Sequence, residues 1–216
     1  MQRMSDPYIF PFTTCERKSP DGLAAQPYSF LVNFITAMVL LFILGRAKAA
    51  SPAVMLVIGL LAVFELWHAF SHFEHISGQM QRNVIHTLVY FIGAAFLYFI
   101  VSSGVYEDAR DRGVFFWIAG FVALDAAVLT FGSEAHWSVI TGVLVFACIL
   151  FWFRRIFDAV TLMAFMVLIF IGTVMFLLEK KYCTAALKWR VLPYHVIVEI
   201  VVSSFIILFA YSLSFR

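Results

Sequence analysis

The chain has 216 residues, of which 63% are hydrophobic and 13% are charged, and its formal net charge is +2. A soluble domain is about half apolar and about one quarter charged, so this composition excludes a water-soluble globular protein and intrinsic disorder. A net charge this small gives no support for nucleic acid as a partner.

Apolar runs long enough to cross a bilayer recur from Tyr28 to the C-terminus. They predict an all-α integral membrane protein, a seven-transmembrane-helix bundle at 28–216, after a polar N-terminal tail at 1–27. The tail lacks the apolar core of a cleaved signal peptide. The predicted spans lie at about 28–45, 53–75, 84–103, 114–132, 136–153, 157–178 and 191–214.

The orientation of the spans is predicted from cysteines rather than from charge. The membrane face that carries the tail, called here the tail face, has eight Lys and Arg residues and the opposite face has seven, so charge does not decide. Cys15 in the tail and Cys183 in the predicted loop after span six lie on the tail face and could pair, or remain two unpaired thiols. Pairing needs an oxidising compartment, so the tail face is expected to be lumenal or extracellular.

Ionisable residues within membrane spans are costly, and they gather at the end of span two. At about 100° per residue, four of their side chains fall within about 80° of one another on one helix face. Ser71 flanks this face. The four residues are Glu65, His68, His72 and His75.

Other spans bring further ligand types to the same depth. His86 opens span three and His195 opens span seven, both at the tail face, and Glu199 follows His195 by one helical turn. Since imidazole and carboxylate suit zinc, and three protein ligands plus water form its catalytic site, these residues together with His75 predict a metal centre.

Plainer interpretations remain open at this stage. A single histidine near a helix end is commonly an interfacial residue, and His195 with Glu199 could be a buried hydrogen-bonded pair. A haem-binding electron-transfer bundle could use His68 or His72 as an axial ligand. A receptor or transporter could line a polar cavity with the same side chains and perform no chemistry.

Short motifs occur at three places in the chain. Ser71 to His75 forms a Ser-x-x-x-His step, and His195 to Glu199 opens span seven. Cys15-Glu16 and the segment 26–33 precede or open span one. Together these motifs resemble the alkaline ceramidase family, in which a His-x-x-x-His step stands at the position of His195 to Glu199. That family belongs to a superfamily of seven-helix membrane hydrolases that includes the adiponectin receptors.

The resemblance implies a zinc-dependent hydrolase that cleaves the amide bond of a ceramide-like lipid. It carries His75 and His195 over as zinc ligands and Ser71 as the partner of the transition state. It also implies a disulfide between Cys15 and Cys183.

This sequence departs from the family in two places. Glu199 replaces the second histidine of span seven, and His86 stands where the family has an aspartate, so a carboxylate and an imidazole have exchanged positions. The calcium-binding tail is poorly kept, with Thr13 and Thr14 in place of an Asp-Trp pair and Gln26 in place of a glutamate. Calcium is therefore not expected.

A mechanism follows as a hypothesis. Zinc on His75, His195 and Glu199 would lower the pKa of a bound water, and His86 or Glu199 would accept the proton of that water. His86 is favoured, because a glutamate already bound to zinc is a weaker base. Ser71 and zinc would stabilise the oxyanion. His68, His72 and Glu65 lie deeper in span two than His75. They would either support the zinc ligands from behind or relay protons. The lipid head group, the acyl length and the oligomeric state are not predicted.

Overall fold

The computed structural model describes residue 24 and residues 26–47, 50–72, 78–103, 109–131, 134–189 and 194–215. Within these ranges the chain forms seven α-helices and a single short 3-10 turn at Phe153–Arg155. The helices are α1 Pro27–Arg46, α2 Pro52–Ser71, α3 Gly78–Ser102, α4 Ala109–Phe131, α5 Glu134–Phe151, α6 Ala159–Trp189 and α7 Tyr194–Ser214.

The helix boundaries follow local sequence signals. Pro27 and Pro52 occupy the first turns of α1 and α2, where proline's missing N–H costs nothing. The side chain of Ser51 caps α2 by accepting a hydrogen bond from the Val54 amide. Asp158 caps α6 in the same way, with one carboxylate oxygen 2.9 Å from the amide nitrogens of both Val160 and Thr161.

Among the described residues, six helices are long and apolar enough to cross a membrane. Their outer faces carry large apolar side chains, of which Phe170 in α6 is 70% exposed. Such exposure is costly in water and favourable in lipid. The prediction of an all-α, multi-pass membrane bundle is confirmed. The six segments are Pro27–Arg46, Pro52–Ser71, Asn83–Ser102, Gly113–Phe131, Ala159–Glu179 and Tyr194–Ser214.

One predicted boundary is wrong. Helix α2 ends at Ser71 and not at 75, because the His72 amide turns back to the carbonyls of Ala69 and Phe70. His75 therefore lies beyond that helix and outside the described residues. The predicted span six agrees with the apolar segment Ala159–Glu179, and helix α6 continues beyond it to Trp189, so Cys183 follows the span on a helix rather than in a loop.

The helices pack as a bundle in which α1 contacts α2 and α7, α6 contacts α7, and α2 contacts α3. At the end of the bundle opposite the tail face, the core consists of aromatic rings packed around the 3-10 turn. The ring centroid of Phe153 is 5.2 Å from those of Trp152 and Phe157 and 5.4 Å from that of Phe209. This end of the bundle is closed by apolar packing.

Asp158 gives a prediction on helix α6. Asp158→Ala is expected to accelerate hydrogen exchange at the Val160 and Thr161 amides, and Asp158→Ser, which retains a cap, is expected to keep them protected. Hydrogen exchange in micelles measures this. Equal exchange in both variants would contradict the capping role.

The same contact has a pH dependence. Hydrogen bonds from the Thr161 amide and hydroxyl, and from the Val160 amide, lower the pKa of Asp158 below its ordinary 3.8. Because the pKa of Asp158 is lower in the folded protein than in the unfolded chain, the cap stabilises the protein fully above the ordinary pKa of Asp158. This stabilisation is lost as the pH falls through the lowered pKa of the folded protein.

Candidate metal centre

Three imidazole rings face one carboxylate oxygen inside the bundle. The Oε1 atom of Glu199 lies 2.8 Å from Nε2 of His195, 3.6 Å from Nε2 of His72 and 3.7 Å from Nε2 of His68. Glu199 is 5% exposed and His72 is 2% exposed, whereas His68 is partly buried, so most of the cluster is enclosed by protein.

Two helix ends supply this cluster. His68 and His72 stand one turn apart at the end of α2, and His195 and Glu199 stand one turn apart at the start of α7. Helix α2 contacts α7, and α1 packs against both. The start of α1, the end of α2 and the start of α7 therefore meet at one membrane face, the tail face.

His72 and His195 also have a close partner at the other ring nitrogen. Nδ1 of His72 is 2.8 Å from Oε1 of Gln26, and Nδ1 of His195 is 3.1 Å from Oε1 of Glu179. Nδ1 of His68 is 4.0 Å from Oε2 of Glu65, which is too far for a hydrogen bond. An outer acceptor behind a metal-binding histidine fixes its ring and tautomer.

The inner atoms of the cluster are not satisfied by the hydrogen bonds of the described residues. Both carboxylate oxygens of Glu199 and Nε2 of His195 are buried without a hydrogen-bond partner there. His195 Nε2 and Glu199 Oε1 are close enough for a hydrogen bond, but they are not aligned for one. Buried polar atoms without partners are costly, and a cation among them would remove that cost.

The spacing of these atoms fits a small metal ion. His68, His72 and Glu199 each offer a ligand atom, and these atoms lie within 4.8 Å of one another. Ligands about 2.0–2.1 Å from a tetrahedral zinc ion are roughly 3.3–3.5 Å apart. The two distances from Glu199 Oε1 to the α2 imidazoles need to shorten only slightly to match.

Comparison with protein-family models, with curated proteins and with solved structures gives no match. The resemblance to the alkaline ceramidases therefore rests on the residues themselves.

Four of the predicted site residues lie together in the structure. The structure brings His195 and Glu199 together with His68 and His72, and Glu65 lies one turn from His68 on α2. Ser71 is buried and its hydroxyl donates to the His68 carbonyl.

The remaining predictions stay untested. His86 is half-buried on α3 beside the ring of Tyr90. The described part of the chain does not include His75, Cys15 or the side chain of Cys183. The role of His75 as a zinc ligand and the disulfide between the two cysteines therefore stay predictions.

Three residues of the site were missed by sequence reasoning. Gln26 and Asn33 contact His72, and Glu179 contacts His195. Glu179 ends an apolar run and is followed by Lys180 and Lys181, a pattern typical of an interfacial segment. Its 4% exposure distinguishes it from such residues.

The contact between Glu179 and His195 gives a stability prediction. Glu179→Leu removes one partner of a buried ion pair and is expected to destabilise the bundle by about 3–5 kcal/mol. Thermal unfolding in detergent measures the loss. Lys181→Leu is the control, because this neighbour is exposed and contacts the Tyr182 ring at the surface. Similar stability of the two variants would show that the pair contributes nothing.

Proposed function

We propose that this protein is a membrane-embedded, zinc-dependent hydrolase that cleaves the amide bond of a ceramide-like lipid. The observation that carries the proposal is the convergence of three imidazole Nε2 atoms on the buried Glu199 carboxylate. Ionisable groups inside a membrane bundle are costly, and this one collects four of them around a single point.

In this proposal His68, His72 and Glu199 hold the ion, since their ligand atoms are mutually close. Two imidazoles and one carboxylate are a known catalytic zinc set, with the fourth position open. Zinc, when bound, would polarise the substrate carbonyl and lower the pKa of a water in that position. His68 and His72 of α2 take the ligand role that was predicted for His75.

His195 is proposed as the proton carrier. Its Nε2 faces Glu199 Oε1 and its Nδ1 faces Glu179, so its ring is held between two carboxylates. For this step the ring must start neutral, with Nδ1–H donating to Glu179 and the lone pair at Nε2. Nε2 would then take a proton from the reacting water and return it to the leaving amine. His86 remains the alternative base predicted from the sequence.

Ser71 is proposed to stabilise the oxyanion of the tetrahedral intermediate. Its hydroxyl lies in the last turn of α2, next to His72, and donates to the His68 carbonyl. It would have to leave that carbonyl to donate to a substrate oxygen. Donation to a developing negative charge in a buried site is a large catalytic term.

The depth of the site favours a lipid substrate. The cluster lies where α1 and α7 begin and α2 ends, which is at one membrane face. Bonds that join acyl chains to head groups lie at this level of a bilayer. The ceramide-like amide is the substrate class that the family resemblance implies, and the apolar outer faces of the helices are compatible with entry from lipid.

The proposal predicts one zinc ion per chain in protein purified without chelators, measured by elemental analysis. His72→Ala and Glu199→Gln are each expected to lose most of it, because each removes a ligand. The matched control is Asp125→Asn, which neutralises another buried acid within a span. Asp125 accepts a hydrogen bond from the Thr141 hydroxyl, between α4 and α5. Zinc-free wild-type protein that is fully folded would contradict the proposal.

A second prediction concerns catalysis. Release of labelled fatty acid from a lipid amide in micelles is expected to fall by about 10²–10⁴-fold in His195→Gln, because the proton carrier is lost. His86→Ala is measured in parallel, and a larger loss there would assign the base to His86. Wild-type protein that binds zinc and the lipid without releasing product would favour a receptor or transporter.

A further inference from the structure

The two ring nitrogens of His72 contact two side chains of the same segment. Nδ1 is 2.8 Å from the amide oxygen of Gln26, and Nε2 is 3.2 Å from the amide nitrogen of Asn33. All three side chains are buried, with exposures of 2–4%. His72 is thus held by hydrogen bonds from outside its own helix.

These contacts define a tautomer. An amide oxygen only accepts a hydrogen bond, so Nδ1 of His72 carries the proton when Gln26 Oε1 faces it. The neutral ring then has its lone pair at Nε2, which accepts from the Asn33 amide. Nε2 is also the atom that faces Glu199, so this tautomer presents its lone pair to the centre of the cluster.

We propose that Gln26 is a positioning residue, which holds His72 in the Nδ1–H tautomer so that Nε2 is available to a metal ion. Asn33 in this scheme occupies the lone pair of Nε2 until an ion displaces it. The inference rests on the proposed metal site, and it concerns an acceptor that no ligand motif contains.

The placement of Gln26 suits this role. It is the residue before α1, followed by Pro27, and its side chain does not cap the helix. Replacing the side chain therefore leaves the helix start intact. The contact joins residues 46 positions apart, so it also ties the start of α1 to the end of α2.

The metal-binding test compares two substitutions at the same imidazole. Gln26→Met removes the acceptor at Nδ1 with little change in volume, and Asn33→Leu does the same to the donor at Nε2. Titration of Zn²⁺ against a chromophoric chelator is expected to show about 10–100-fold weaker binding in Gln26→Met. Asn33→Leu is expected to bind Zn²⁺ at least as tightly as wild type. Gln26→Glu keeps an acceptor at Nδ1 and is expected to bind Zn²⁺ more tightly than Gln26→Met.

Unchanged zinc affinity in folded Gln26→Met would overturn the inference. So would an equal loss in Gln26→Met and Asn33→Leu, because general damage to the packing around His72 predicts that result. Melting temperatures of the three variants identify such damage.

The tautomer is measured separately, by ¹⁵N NMR of metal-free wild-type protein with labelled histidine, assigned against His72→Asn. The expected spectrum has a protonated Nδ1 and an unprotonated Nε2 for His72. The opposite tautomer, in which Gln26 donates and Asn33 accepts, would overturn the inference. This readout needs no zinc, and the variant serves only to assign the His72 signals, so it decides the inference even if wild-type protein binds no zinc and the proposed function fails.

Discussion

The buried Glu199 carboxylate is the constraint on which the site depends. A charged group enclosed by a membrane bundle is stable only with charge partners or hydrogen bonds around it. Glu199 receives three imidazoles, one from its own helix and two from α2. The registers of α2 and α7 are therefore coupled at this point, since a shift of either helix by one residue would turn an imidazole away from the carboxylate.

The histidines differ in what lies behind them. An amide oxygen faces His72, a carboxylate 3.1 Å away faces His195, and a carboxylate 4.0 Å away faces His68. An amide oxygen is an acceptor for a neutral ring, whereas a close carboxylate also stabilises the protonated ring. This chemical difference supports a division of work, with His72 as a ligand and His195 as the proton carrier.

The bundle separates a polar end from an apolar one. The tail-face ends of α1, α2 and α7 and the end of the apolar part of α6 carry the ionisable cluster, while the opposite end is filled by rings around Phe153. Close aromatic packing does not depend on charge or on bound groups. It gives the helices a fixed frame in which the costly polar end can be held.

The amino-acid sequence by itself determined the class of the protein and the pairing of site residues within α2 and within α7. Long apolar runs specify the spanning helices, and helical periodicity places His68 and His72 on one face of α2 and His195 with Glu199 on one face of α7. These relations are local, within a few residues, so the helix geometry fixes them.

Only the tertiary structure decided the rest. It ended α2 at Ser71, which leaves His75 beyond the helix, and it turned Glu179 inward although its neighbours are typical of a membrane interface. It also brought Gln26 and Asn33 to His72 across 46 and 39 positions. Such contacts depend on how whole helices pack, and neither periodicity nor composition specifies which polar residue at a helix end faces the interior and which faces the head groups.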